Sequence, residues 1–249
     1  MLKNLPPVTK NLLILNVLFF FAANVLETKG INISQLLGAH YFNSFFFKPF
    51  QIITHMFMHS LTDYFHIIFN MLLLVMFGSH LERIWGPKKY FIFYFSCGLG
   101  AIALYNTIGV WQIFELKEQL LMDGYDLSSL NNKIFNEKYD LISINSNKSN
   151  QILSDYILMT KSTIVGASGA IFGLLSGFAL LFPNTKLMLL FPPIPIKAKY
   201  LIGGYLILET YNSFFNTNDQ IAHLAHVGGA IVGILMVIIW RKTDRQNFY

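Results

Sequence analysis

The sequence predicts an all-α membrane protein, six transmembrane helices with a long outer insertion between spans three and four, on three observations. Of its 249 residues, 54% are hydrophobic and only 12% are charged, against about a quarter charged in soluble domains. Mean hydropathy is positive, at +0.48. The apolar runs are too long for ordinary core helices, so they call for a bilayer. The net charge of +5 does not mark a nucleic-acid binder, because the basic residues lie between apolar runs and not in one patch. Cys97 is the single cysteine, which excludes an intramolecular disulfide framework and a CxxC motif.

The spans are expected at about Asn11 to Leu26, Tyr64 to Leu81, Tyr90 to Ile108, Val165 to Phe182, Tyr200 to Phe214 and Ile221 to Trp240. No small-residue cleavage site follows the first, which therefore reads as structure and not as a signal peptide. The whole chain, 1–249, reads as one membrane domain. Residues 109–162 are polar and rich in Asn and Ser, and are expected to be a loosely ordered extracytoplasmic insertion. Its short apolar groups, Leu120 to Met122 and Leu141 to Ile144, could form one or two surface helices. Between spans four and five, Pro183, Pro192, Pro193 and Pro195 forbid a continuous helix and predict a loop against the membrane face.

Orientation follows from the basic residues. With a cytoplasmic N-terminus, eleven of the 18 basic residues fall inside against Glu82 and Asp244, leaving +9, while the outer segments hold seven against eleven acids, leaving −4. Both termini are thus expected in the cytoplasm, and the asymmetry fits a bacterial inner membrane.

Polar side chains within spans need a partner or a task. His66 and Asn70 lie on span two, Ser168 opens span four, and His223 and His226 lie on span six. These even-numbered spans all run from outside to inside, so the polar residues fall within about 10 Å of the outer interface at similar depth. A serine, a histidine and an asparagine in one layer supply what acyl transfer needs: a nucleophile, a base and an oxyanion donor. Gly169, Gly173 and Gly177 on span four, and Gly229 and Gly233 on span six, permit close helix approach. His66 and Asn70, at i and i+4, share a helix face. No carboxylate lies in spans two, four or six, so the simplest arrangement is a Ser-His dyad.

The segments HIIFN, GASGAIFG and AHVGGAIVG, in the order HxxxN, GxSG, AHxxG, resemble the rhomboid family of intramembrane serine proteases from about Phe50 through Trp240. The resemblance implies a rhomboid-like bundle with Ser168 of GxSG as nucleophile, flanked by Gly166 and Gly169. It implies a base in AHxxG, where His226 fits better than His223 because the following glycines fall at Gly229 and Gly233. His66 and Asn70 match the family's oxyanion donors. His55 and His59 in HMFMH, and Glu82, Arg83 and Trp85 in LERIWG, are further matches. The chain departs from the pattern at Phe50 and Gln51, in place of a Trp-Arg pair, and at Phe172, in place of a Tyr that stacks on the base.

The implied activity is endopeptidase cleavage of transmembrane segments of membrane proteins. Its partners would be substrate transmembrane helices and the lipid bilayer, with no cofactor. A histidine-based metal or transport site is the weaker rival: HMFMH lacks the Glu of a zinc protease motif, and Glu209 in span five is the lone candidate carboxylate for a transport path. The other alternative is a non-catalytic rhomboid-like protein that binds transmembrane helices.

Overall fold

Two prolines open the first helix, α1 (Pro7–Glu27), at positions where the missing N–H costs nothing. The computed structural model describes residues 4–138, 142, 147–188, 193–215 and 222–243. Pro192, Ile221 and most of the Leu141 to Ile144 group lie outside them. The start of α1 has no side-chain cap of its own. Instead, the Glu82 carboxylate accepts from the Val8 and Thr9 amides at 2.8 and 2.7 Å and from the Thr9 hydroxyl at 2.7 Å. This places a negative charge at the positive end of the helix.

After a short helix α2 (Ile33–Leu37), the Phe-rich loop is organised by buried Gln51 on α3 (Gln51–Thr54). Gln51 Oε1 accepts from the His40 and Lys48 amides, and its Nε2 donates to the Leu36 and Phe46 carbonyls. The helix α4 (Tyr64–Leu73), capped by Asp63, passes through a π-helical turn (Leu74–Gly78) into α5 (Ser79–Met122). In a straight helix Gly78 and Tyr90 would be about 18 Å apart. A Cβ on Gly78 would instead strike the Tyr90 hydroxyl, so the chain folds back. The corner is Gly86, whose φ of 75° suits glycine, followed by Pro87.

α5 then runs 14 residues past the expected end at Ile108. Its extension packs with two further helices, α6 (Leu127–Phe135) and α7 (Asn147–Lys161). Leu130 and Ile134 of α6 and Ile152, Leu153 and Tyr156 of α7 bury a common core with Tyr41, Ile113 and Leu120. The described part of 109–162 is therefore helical and packed, not loosely ordered, because its apolar residues recur at helical spacing and have a partner face on α5 and the Phe-rich loop.

The central helix is α8 (Ser168–Leu181), buried along nearly its whole length. It starts three residues later than expected because Gly166 takes a φ of 123°. Its 14 residues span about 21 Å. The proline-rich segment that follows contains a two-stranded antiparallel hairpin, β1 (Lys186–Met188) with β2 (Pro195–Lys197), beyond the plain loop expected. Helices α9 (Ala198–Phe215) and α10 (His223–Thr243) complete the described chain.

α8 packs chiefly on α10 and α5 through glycines. A Cβ on Gly169 would strike Ala101, one on Gly173 would strike Cys97, and one on Gly229 would strike the Gly169 carbonyl. Three helical runs among the described residues are long and apolar enough to cross a membrane: Pro7–Glu27, Tyr64–Met122 and His223–Thr243. Large side chains such as Phe21, Phe65, Ile207 and Leu235 are more than half exposed, an outward surface suited to lipid.

Candidate active site

The loop entering α8 builds the site. The Gly166 amide donates to the His55 carbonyl at 2.9 Å, and an isolated bridge between Ala39 and Ile164 ties the same strand-like segment to the loop before α3. Gly166 is required twice over. Its φ lies in the left-handed region, and a Cβ there would sit 2.8 Å from His66 Nε2 and 3.5 Å from Ser168 Oγ. The turn delivers Ser168, half-buried, as the first residue of α8. The first backbone N–H groups of the helix have no intrahelical acceptor and carry its positive dipole end, which favours an anion beside the serine.

Ser168 Oγ lies 2.8 Å from His226 Nε2 on α10. Phe172, one turn after Ser168, stacks on the His226 ring at 4.3 Å and 10°. On the far side of the imidazole is a group that sequence reasoning did not connect to it. Glu209 Oε2, from α9, lies 2.8 Å from His226 Nδ1 and 2.7 Å from His223 Nδ1. All three side chains are buried. His223, the poorer match to the base position of AHxxG, thus shares one carboxylate with His226. The signal available was Glu209 itself, an acid within an apolar run, which is costly without a partner.

The three side chains also offer ligand atoms within 4.8 Å of one another, a donor set that suits a transition metal. Hydrogen bonds already account for these contacts, since both Nδ1 atoms meet the same carboxylate oxygen.

Of the remaining predicted residues, His66 faces Gly166, and Asn70 lies one turn further along α4. The Ser60 amide donates to His66 Nδ1 over a long 3.4 Å, which leaves the proton of a neutral His66 on Nε2, the nitrogen facing Gly166. Asn70 is buried and turned onto its own helix, with Nδ2 donating to the His66 carbonyl at 2.7 Å. Among the described residues no hydrogen bond joins Asn70 to Ser168, although the amide has a second N–H. A small cavity lined by His55, Gly166, Ser168, Gly169 and Ala225 has room for about one water. Burial pushes His55 down to about 4 and, together with neighbouring His66, pushes His59 down to about 3. Both are therefore neutral at neutral pH.

The family model described as the Rhomboid domain matches residues 47–111 and 141–243, more than half of the chain. The chain belongs to the rhomboid family. The match is interrupted over 112–140, within the segment that carries α6. The chain is also similar to "Rhomboid protease AarA" of Providencia stuartii, 25% identical over 187 residues that cover 70% of this chain and 50% of that protein. It therefore spans about half the length of that relative. As a rhomboid with long apolar helices, it is an integral membrane protein.

Proposed function

We propose that this rhomboid is an intramembrane serine endopeptidase that cleaves transmembrane segments of membrane proteins, with Ser168 as nucleophile and His226 as base. The observation that carries the reading is the 2.8 Å contact between Ser168 Oγ and His226 Nε2, made at a helix start whose amides are free to receive negative charge. The relative's name as a protease agrees with it. The reading includes six spans, both termini in the cytoplasm of a bacterial inner membrane, and 109–162 as an extracytoplasmic insertion within one membrane domain. The basic-residue asymmetry supports that topology.

In this mechanism Ser168 Oγ attacks the scissile carbonyl carbon as its proton passes to His226 Nε2. The carbonyl oxygen becomes an oxyanion, held by the Ser168 amide, His66 Nε2–H and the second N–H of Asn70. The tetrahedral species collapses, the C–N bond breaks, and His226 returns its proton to the leaving amine. Water then attacks the acyl-enzyme, gives its proton to His226, and Ser168 leaves reprotonated. Removing one oxyanion donor costs about 2.7–4 kcal/mol in a serine protease.

The test is labelling of the detergent-purified protein with a fluorophosphonate. Wild type should label, Ser168→Ala and His226→Ala should not, and His223→Ala should retain labelling within about tenfold. Folded wild type that resists both the probe and a peptide-like acylating inhibitor would leave the chain a helix-binding protein without turnover.

A further inference from the structure

We infer that Glu209 is the positioning residue of the site, so that Ser168, His226 and Glu209 act as a triad in which His223 shares the carboxylate. The inference rests on the proposed protease reading and deepens it. An ionised carboxylate only accepts hydrogen bonds. Because Glu209 Oε2 meets Nδ1 of both His226 and His223, at 2.8 and 2.7 Å, each neutral imidazole must carry its proton on Nδ1. For His226 that choice has a direct consequence. Its Nε2 is left with a lone pair, and Nε2 is the atom 2.8 Å from the Ser168 hydroxyl. The base is thus held in the one tautomer that can take the serine proton.

Among the described residues, the neighbourhood of His226 leaves this role to Glu209. The groups facing His226 are Phe172 and Ser168 from α8, His223 from its own helix, His66 from α4 and Tyr205 from α9 beside the carboxylate. Among these described groups none is an acid. When His226 accepts the serine proton, Glu209 faces the resulting imidazolium in a buried, low-dielectric setting where opposite charges attract strongly. His223 holds the carboxylate from a second direction, which fixes the oxygen that His226 uses. The span that supplies the acid, α9, is separate from those supplying nucleophile and base, so the triad assembles from three helices.

Two measurements test this. The first compares fluorophosphonate labelling rates of wild type, Ser168→Ala and Glu209→Gln, with melting temperatures as a fold check. Losing the carboxylate of a serine-protease triad while keeping its shape costs about 10⁴-fold, and Glu209→Gln should lose between about 10² and 10⁴. Labelling at the wild-type rate would overturn the inference while leaving the protease reading intact. The second uses wild type only and stands even where the variant does not fold: ¹⁵N-histidine NMR of the detergent-solubilised protein. It should show His226 protonated on Nδ1, with that proton strongly deshielded and its signal assigned by loss in His226→Ala. An Nε2-protonated His226 would overturn the inference. Wild type that never labels would sink the protease reading, and the tautomer would still decide the role of Glu209. Labelling abolished by EDTA and restored by zinc would assign the three side chains to a metal and overturn the triad.

Discussion

Replacing Gly229 by alanine should separate the nucleophile from its base without touching either. Gly229 lies three residues after His226 on α10, and a Cβ there would overlap the carbonyl oxygen of Gly169, the residue that follows Ser168. The obstacle is backbone on both sides, so no side chain can swing away, and α8 and α10 must part by roughly 1 Å to restore van der Waals contact. The 2.8 Å contact between Ser168 and His226 then opens to about 4 Å, beyond the roughly 2.6–3.2 Å over which a base takes a proton. A 1 Å misplacement costs about 10²-fold, and overpacking costs about 1–3 kcal/mol of stability. The assay is the fluorophosphonate labelling rate beside a thermal melt. Gly203→Ala is the control, since nothing lies within 4 Å of a Cβ there, and it should label like wild type. Gly229→Ala labelling within twofold of wild type would refute the claim that glycine contact sets the Ser168 to His226 distance.

Phe172→Ala should remove the ring stacked on His226 at 4.3 Å, worth about 0.5–1.5 kcal/mol, and so slow labelling roughly 2- to 12-fold, while Phe172→Tyr stays close to wild type. Glu82→Ala should strip the cap from α1 and lower stability by roughly 2–4 kcal/mol, read as a lower melting temperature with helix content otherwise kept. Stability should also fall with acid. His55 and His59 sit at about 4 and about 3 in the folded chain against an ordinary 6.5, so from about pH 6.5 down to about pH 4 the unfolded chain binds more protons and gains. A melting temperature that holds constant or rises across that window would contradict their burial as neutral rings.

The candidate site was legible where short-range spacing carries its pattern. GxSG marked Ser168 because a glycine two residues earlier permits the turn, and the glycines at fixed offsets favoured His226 over His223. Phe172 was legible for the same reason, one helical turn from Ser168. Glu209 was not, because it reaches His226 from another helix, 17 positions away, and no spacing within one element encodes a contact between two. The apolar runs showed where helices form, and a helix lies at each of the six expected segments. Their ends were less legible. The start of α8 is set by the backbone of Gly166, and α5 continues to Met122 because α6 and α7 pack on it, a tertiary effect that composition does not reveal. The polar character of 109–162 concealed a core built from few apolar residues at helical intervals.

The central claim is that Ser168 is the nucleophile, activated by His226. Its most direct test is mass spectrometry of the fluorophosphonate-treated protein after digestion. The account predicts a single adduct on the peptide containing Ser168 in wild type, absent from His226→Ala. An adduct on another residue, or none on folded protein, would contradict it.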